Sequence, residues 1–278
     1  MRIFLAAMIT ALSCGTVAAQ TCGGPGAPCV LPENGEYHVA LPDGEVTGTL
    51  IFLHGFGGRG EGVVKNKGLL KPILARGYAV VAPQGLPFRA NSKGGAWNSF
   101  DNPNRRDDVR FLNDVAANAA ARFGLGRDAM LIGGFSGGGM MTWRVACNQP
   151  DSFAAYAPIA GLLWRPLPET CAGPIRMHHT HGWSDPVVPI EGRTVGNGFA
   201  TQGNLFNGLE IMRNVNGCAK DDPDDYAKDG IYLSRKWTSC APGTALEMAL
   251  HPGGHRIPKG WSTLAMDWFE ALPPTFED

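Results

Sequence analysis

The chain has 278 residues, 18% of them charged, and a formal net charge of −1 at pH 7. The charges are balanced and form neither a basic stripe nor a long run, which argues against nucleic-acid binding and against a disordered tail. The length suits one α/β domain, and the 38 glycines and 21 prolines are spread along the chain rather than gathered in a linker.

The N-terminal segment has the features of a secretory signal peptide. Arg2 precedes a short apolar stretch at 3–12, and small residues follow up to Ala19. This pattern predicts a signal peptide over residues 1–19, a single mature domain over residues 20–278, and a secreted or periplasmic protein. The apolar stretch is too short to span a bilayer, so we expect no membrane span. Cys14 leaves a lipoprotein as the weaker alternative.

Six cysteines remain after the signal peptide, and an even number in an exported chain predicts disulfides. Sequence alone does not choose among the many possible pairings. Proximity in the chain favours Cys22–Cys29 and Cys218–Cys240, which leaves Cys147–Cys171.

Apolar runs and helical patterns alternate along the chain. Strands are predicted at 37–40, 48–53, 78–82, 129–133, 154–160, 175–180 and 245–250, and helices at 69–76, 107–123, 140–146 and 261–272. This alternation predicts a mainly parallel central sheet with helices on both faces. In such sheets, chemistry takes place beyond the carboxyl ends of the strands.

The loop after the strand at 48–53 is rich in glycine. It contains a literal G-x-G-x-x-G at 55–60, but the next strand lacks the acidic residue that binds a ribose, so we expect no nucleotide and no other cofactor. The loop offers backbone N–H groups instead, and Phe56 is the predicted oxyanion donor from it. Further along, Trp97 lies in a loop where substrate contacts collect, and a packing role is the equal alternative.

The segment Gly134-Phe135-Ser136-Gly137-Gly138 stands between a predicted strand and a predicted helix. In this context, G-x-S-x-G forms a nucleophile elbow that presents Ser136 on a sharp turn. The N–H of Gly137 is the second predicted oxyanion donor. The alternative is a glycine-rich turn that contains a serine by chance.

Asp185 and His255 follow later strands and complete the order serine, acid, histidine. In this arrangement Ser136 attacks, His255 takes and returns its proton, and Asp185 orients the imidazole. Asp151 and His251 are the alternatives for the acid and the base. His255 is preferred because two glycines before it leave its loop free to fold inward.

The run from His178 to His181 contains three histidines and could suggest a metal cluster. His178 and His179 face opposite sides of a strand, so we expect buried structural histidines and no metal. Trp183, beside Asp185, is a second candidate for substrate contact, again with packing as the equal alternative.

Together these motifs resemble the secreted esterase group that includes poly(3-hydroxybutyrate) depolymerases, LpqC-like proteins and feruloyl esterases. The matching segments are 53–55, 107–112, 134–141, 150–155, 181–189 and 253–255. The resemblance implies an α/β-hydrolase fold, ester hydrolysis through an acyl-enzyme, and a triad of Ser136, Asp185 and His255. It also supports the Cys147–Cys171 bridge and a bridge near Cys218 and Cys240.

The expected activity is that of a secreted serine carboxylic-ester hydrolase. Feruloyl or other aryl esters and short hydroxyalkanoate esters both fit, and the sequence does not separate them. The alternatives are an acetyl esterase acting on polysaccharide, a serine peptidase of the same fold and a non-catalytic binding protein. We expect a small-molecule or oligomeric ester as the partner, because no polymer-binding module is evident, and we expect no nucleic acid and no protein partner.

Overall fold

The computed structural model describes residues 22–32 and 35–273, and the predicted signal peptide over residues 1–19 lies outside them. The strands, in chain order, are β1 (Cys29–Leu31), β2 (Gly35–Ala40), β3 (Gly48–Leu53), β4 (Tyr78–Pro83), β5 (Leu86–Pro87), β6 (Gly95–Ala96), β7 (Met130–Phe135), β8 (Ala155–Ile159), β9 (Trp164–Arg165), β10 (Arg176–Gly182), β11 (Thr194–Val195), β12 (Ala200–Gln202), β13 (Asp225–Asp229), β14 (Tyr232–Trp237) and β15 (Ala245–His251). The helices are α1 (Gly60–Val64), α2 (Lys67–Leu74), α3 (Asp108–Phe123), α4 (Gly137–Asn148), α5 (Leu205–Val215) and α6 (Trp261–Glu270), with a 3₁₀ turn at Pro150–Ser152.

Ten strands form the main sheet, in the order β1-β2-β4-β3-β7-β8-β10-β15-β14-β13. The six strands from β4 to β15 in that order pair in parallel. Strands β2 and β1 extend one end of the sheet antiparallel, and β14 and β13 extend the other. The predicted mainly parallel central sheet is confirmed, with antiparallel strands added at both edges.

Helices cover both faces of this sheet, as predicted. Every residue of β3 and β4 is buried, which explains why these strands read as continuous apolar runs. On one face, the core contains Leu112 of α3, Met141 of α4 and Leu209 of α5. On the other, it contains Ile73 of α2 and Trp261 of α6. Burial of these apolar side chains is the main force that holds the layers together.

Three disulfides connect surface segments to this core: the two pairs that chain proximity favours, and the remaining pair, Cys147–Cys171. Cys22–Cys29 closes the loop before β1, and Cys147–Cys171 ties the end of α4 to the loop after β9. Cys218–Cys240 joins the segment after α5 to the segment after β14.

The carboxyl ends of the six parallel strands meet at one edge of the sheet. The loops after β3, β7, β10 and β15 carry Phe56, Ser136, Asp185 and His255 at this edge. Two small sheets, β5–β6 and β9–β12–β11, lie in the loops that follow β4, β8 and β10. Within residues 22–32 and 35–273, no helix has the length and apolar character needed to cross a bilayer.

Candidate active site

Ser136 occupies a tight turn between β7 and α4. Its backbone has φ 57° and ψ −118°, a conformation that residues other than glycine rarely adopt. A Cβ at Gly134 would lie 2.6 Å from the backbone of Gly138, and a Cβ at Gly138 would lie 2.2 Å from the carbonyl oxygen of Leu53. Only glycine fits at these two positions, so the motif G-x-S-x-G follows from the close approach of β7, α4 and β3.

Ser136, His255 and Asp185 form one hydrogen-bonded series. The hydroxyl of Ser136 lies 2.9 Å from Nε2 of His255, and Nδ1 of His255 lies 2.7 Å from Oδ2 of Asp185. Because a carboxylate can only accept, Nδ1 carries the proton and Nε2 is free to accept from the serine. The ring of Phe135 packs against the imidazole of His255, with centroids 4.8 Å apart, and limits its rotation.

The carboxylate of Asp185 is completely buried and fully bonded. Its Oδ1 accepts the backbone N–H groups of Val187 at 2.8 Å and Val188 at 2.9 Å. Burial alone raises the pKa of Asp185, but the hydrogen bonds from His255 and from these two N–H groups outweigh it, so the pKa lies below its ordinary value. The group is therefore a carboxylate at neutral pH.

Backbone hydrogen bonds connect the loop that carries Asp185 to the loop that carries His255. The N–H of Trp183 donates to the carbonyl of His251 at 2.7 Å, and the N–H of Ser184 donates to the carbonyl of Gly253 at 3.2 Å. His251, the alternative base, is buried, and its Nδ1 accepts the N–H of Gly253 at 3.1 Å. The structure therefore places His251 beneath the loop and His255 against the serine.

Asp151, the alternative acid, lies on the exposed 3₁₀ turn after α4. The histidines of β10 are divided between the two faces of the sheet, as their alternation predicts. His179 Nε2 and His181 Nδ1 are 2.9 Å apart on one face, while the ring of His178 packs on Trp268 of α6 at the other. Within the described residues, no group of three or more His, Cys, Asp or Glu side chains could hold a metal ion.

The backbone nitrogens of Phe56 and Gly137 lie close together next to Ser136. A Cβ at Gly137 would lie 3.2 Å from the backbone nitrogen of Phe56, and one at Gly55 would lie 3.5 Å from Cβ of Ser136. Within residues 22–32 and 35–273, neither the N–H of Phe56 nor that of Gly137 has a hydrogen-bond acceptor. Gly137 is the first residue of α4, so the positive end of the helix dipole strengthens the attraction of its N–H for a negative charge. This pair of donors can stabilise an oxyanion.

His54 and Trp97 hold the loop that carries Phe56 from below. Nε2 of His54 accepts the N–H of Gly85 at 3.1 Å, and Nδ1 lies 2.8 Å from the carbonyl of Gly55. Burial lowers the pKa of His54 to about 4, so the ring is neutral. Trp97 is only 4% exposed, and its indole N–H donates to the carbonyl of His54 at 2.8 Å. The structure thus places Trp97 beneath the loop and gives it little surface to offer a substrate.

A second contact, which no motif in the sequence indicates, connects the same loop to the segment 94–95. Gly57 and Gly58 exchange backbone hydrogen bonds with Gly95, at 2.8 and 2.9 Å. A Cβ at Gly94 would lie 2.0 Å from the carbonyl oxygen of Gly57. The segment 94–95 therefore fixes the position of the Phe56 N–H and tolerates no side chain at Gly94.

Several loops at the carboxyl edge of the sheet carry exposed or half-buried aromatic side chains. The side chain of Phe56 is 66% exposed, and its ring lies 4.5 Å, centroid to centroid, from that of Phe88. Trp183, 69% exposed, stands on the loop that carries Asp185. A further stack joins Phe100, Trp164 and Phe199 in the loops after β4, β8 and β10. Of these residues, sequence analysis identified only Trp183 as a candidate for substrate contact.

Comparison with known proteins gives consistent matches. The phospholipase/carboxylesterase family matches residues 34–201, more than half of the chain. A protein named esterase NocK from Nocardia uniformis subsp. tsuyamanensis is 33% identical over 159 residues, which are 55% of this chain and 44% of that protein. Feruloyl esterase C from Emericella nidulans is 31% identical over 171 residues, 56% of this chain and 57% of that protein. The chain thus spans about half the length of the curated relatives it matches.

Solved structures show the same fold at lower identity. An acetyl xylan esterase from Aspergillus awamori superposes with a TM-score of 0.62 at 16% identity, covering 86% of this chain and 95% of the other. A carboxylesterase from Bacillus cereus gives a TM-score of 0.59 at 12% identity, covering 87% and 96%. These likenesses concern the fold, and they confirm the predicted α/β-hydrolase architecture.

Proposed function

The chain belongs to the phospholipase/carboxylesterase family, and from that premise we propose that it is a secreted serine hydrolase of carboxylic esters. One observation carries the proposal. The hydroxyl of Ser136 is hydrogen-bonded through His255 to the buried carboxylate of Asp185, and next to Ser136 lie the N–H groups of Phe56 and Gly137, which have no acceptor within the described residues. A nucleophile, a base and an oxyanion site together are what acyl transfer requires.

In the proposed reaction, Ser136 Oγ attacks the ester carbonyl carbon while its proton passes to Nε2 of His255. The N–H groups of Phe56 and Gly137 stabilise the oxygen that becomes negative. His255 then gives the proton to the departing alcohol oxygen, which leaves an acyl group on Ser136. Water, deprotonated by His255, releases the acid and restores the serine. Throughout, Asp185 stabilises the positively charged imidazolium.

We propose aryl esters, including feruloyl esters, as the substrate class. The support is the pair Phe56 and Phe88, because Phe56 supplies both the proposed oxyanion N–H and an exposed ring, on a backbone that lies against Gly137, the residue after Ser136. Aromatic rings that stack in offset or tilted geometry gain about 0.5–1.5 kcal/mol beyond the burial of their area. A flat aryl group can thus bind next to the reacting carbonyl, and a short aliphatic chain gains less.

Initial rates of hydrolysis test both levels of this proposal. We expect hydrolysis of methyl ferulate to be faster than that of soluble 3-hydroxybutyrate oligomers or small acetate esters, and Ser136→Ala to have no activity. Ser184→Ala is the matched control: it removes a hydroxyl that donates to the carbonyl of Pro252, leaves the backbone hydrogen bond to Gly253 in place, and should leave the rate unchanged. Activity retained in Ser136→Ala rejects the mechanism, while a preference for the oligomers rejects the aryl class and leaves the mechanism intact.

Phe56→Ala tests the aryl class separately from the chemistry. The backbone N–H remains, so kcat on small acetate esters should not change. KM for methyl ferulate should rise about tenfold if the ring contributes about 1.4 kcal/mol to binding. Tyr226→Ala, which removes an exposed aromatic ring on the distant strand β13, is the control and should alter neither value.

We also propose that residues 1–19 are removed as a signal peptide and that residues 20–278 form one catalytic domain outside the cytoplasm. Three disulfides support an exported protein, because such bonds persist in oxidising compartments. The mass of the protein recovered outside the cytoplasm should correspond to a chain beginning at Gln20. Recovery of the whole activity in the cytoplasm with residues 1–19 retained would contradict this.

A further inference from the structure

Strand β10 carries three histidines that the proposed reaction does not use, and two of them, His179 and His181, lie on the same face of the sheet. Both rings are fully buried on the face of the sheet that packs against α4. The indole nitrogen of Trp143, on α4, lies 3.1 Å from Nδ1 of His179. Nε2 of His179 lies 2.9 Å from Nδ1 of His181, and Nε2 of His181 lies 2.7 Å from the carbonyl oxygen of Val188.

The two ends of this series fix every proton in it. An indole N–H can only donate, so Nδ1 of His179 must be the acceptor. A neutral His179 then carries its proton on Nε2 and donates to Nδ1 of His181. His181 in turn carries its proton on Nε2 and donates to the carbonyl of Val188, which can only accept. Both rings are therefore held as neutral Nε2–H tautomers.

The series ends on the turn that holds the acid of the site. Val188 receives the hydrogen bond from His181 on its carbonyl, and its own N–H donates to Oδ1 of Asp185 at 2.9 Å. Nε2 of His181 also lies 3.9 Å from Oδ2 of Asp185, the oxygen that accepts the hydrogen bond from Nδ1 of His255. His181 thus contacts the 185–188 turn on the side where Oδ2 of Asp185 meets His255.

We propose that His181 is a positioning residue for the acid–base pair, held in its working tautomer by His179 and Trp143. It keeps the 185–188 turn in the position at which Oδ2 of Asp185 meets Nδ1 of His255. This role rests on the proposed function, since it acts through Asp185 and His255. Burial lowers the pKa of both His179 and His181, which agrees with two uncharged rings.

Variants at His181 separate positioning from packing. His181→Leu fills the same space with an apolar side chain but removes the N–H that donates to Val188. If the carboxylate of Asp185 is displaced by about 1 Å as a result, kcat can fall about 100-fold. We expect KM to be unchanged and the acid limb of the kcat/KM profile to move to lower pH, because a displaced Asp185 stabilises the imidazolium less. His181→Gln offers an amide N–H and a carbonyl oxygen at similar places, and should restore kcat to within about tenfold of the wild type.

His178→Leu is the matched control, because His178 is equally buried on the same strand but faces α6. It should lower the melting temperature without moving the acid limb. If His181→Leu behaves in the same way, or if His181→Gln shows no recovery over His181→Leu, the positioning role is wrong.

A second measurement does not depend on activity or on variants that fold poorly. Long-range ¹⁵N–¹H correlation spectra of the histidine-labelled protein report which ring nitrogen carries the proton. We expect Nε2–H for His179 and His181 in the wild type, and a mixture of tautomers for His179 in Trp143→Phe, which lacks the indole N–H. A Nδ1–H tautomer or an imidazolium at either residue overturns the proposal, whereas activity in Ser136→Ala overturns only the function on which it rests.

Discussion

Replacement of Asp185 by asparagine tests whether the carboxylate orients His255. Oδ1 of Asp185 accepts two backbone N–H groups, from Val187 at 2.8 Å and Val188 at 2.9 Å. In the variant the amide oxygen must stay at this position, because an amide NH₂ there would face two donors. The amide nitrogen then takes the place of Oδ2, 2.7 Å from Nδ1 of His255, and donates a proton to it.

This reversal changes the tautomer of His255. Its proton moves to Nε2, which faces the hydroxyl of Ser136 at 2.9 Å and can then no longer accept the proton of the serine. The loss of the base should lower kcat by about four orders of magnitude, which corresponds to about 5.4 kcal/mol in the activation free energy. The backbone hydrogen bonds remain, so the melting temperature should change little.

Steady-state hydrolysis of methyl ferulate at about pH 7.5 measures the effect. Asp151→Asn is the matched control. Asp151 is the alternative candidate for the triad acid, and its exposed carboxylate lies on the 3₁₀ turn after α4. This variant should keep the wild-type kcat. A kcat for Asp185→Asn within about tenfold of the wild type would refute the reasoning, as would equal losses in the two variants.

Three further predictions concern the loop, the buried histidines and the disulfides. Gly94→Ala should lower kcat more than about tenfold by displacing Gly57, whereas Gly62→Ala, whose new Cβ has no atom outside its own helix backbone within 4 Å, should not. Burial lowers the pKa of His178 from 6.5 to about 4. As pH falls from 6.5 towards 4, this histidine is protonated in the unfolded chain but not in the folded one, so the unfolding free energy decreases. In His178→Leu, the slope of unfolding free energy against pH in urea titrations should fall by about 1.4 kcal/mol per pH unit over that window, and an unchanged slope would contradict this. From sequence separations of 24 and 7, serine replacement of Cys147–Cys171 should reduce the unfolding free energy by about 3.5 kcal/mol and that of Cys22–Cys29 by about 2.4 kcal/mol, and urea midpoints in the reverse order would contradict the chain-entropy argument.

The parallel centre of the sheet and the three polar site residues were predictable because their signals are local. Most central strands are apolar runs with a turn after them; Ser136 and His255 follow such runs, while Asp185 follows the histidine-rich strand β10. The strained turn at Ser136 is also visible in the sequence, because only glycine fits at positions 134 and 138. Chain order then suffices to propose which residues meet at the carboxyl edge.

Other elements depend on contacts between distant segments, and sequence patterns did not reveal them. Strand β13 (Asp225–Asp229) is exposed at every residue, so it has no alternation, and it exists because it pairs with β14 at the sheet edge. Helix α5 contains Gly208, a poor helix former that the close packing of Trp143 accommodates.

The surroundings of the oxyanion loop show the same limit. Trp97 was correctly expected in a loop after a strand, but only the folded chain shows that it is buried beneath His54. Gly94 contacts Gly57, which is far from it in the chain, and no sequence pattern at either glycine predicts this contact. The half-buried ring of Phe88 beside Phe56 is likewise a product of tertiary packing.

The most direct test of the account is covalent labelling of the serine. A fluorophosphonate reacts with a serine only when a base activates it and an oxyanion site receives the phosphoryl oxygen. Mass spectrometry of the treated wild-type protein should show one phosphonyl group, located on the peptide that contains Ser136. Ser136→Ala should remain unlabelled, and Ser184→Ala should be labelled like the wild type. Labelling of Ser136→Ala at the wild-type rate, or no labelling of a wild-type protein that hydrolyses methyl ferulate, would contradict the central claim.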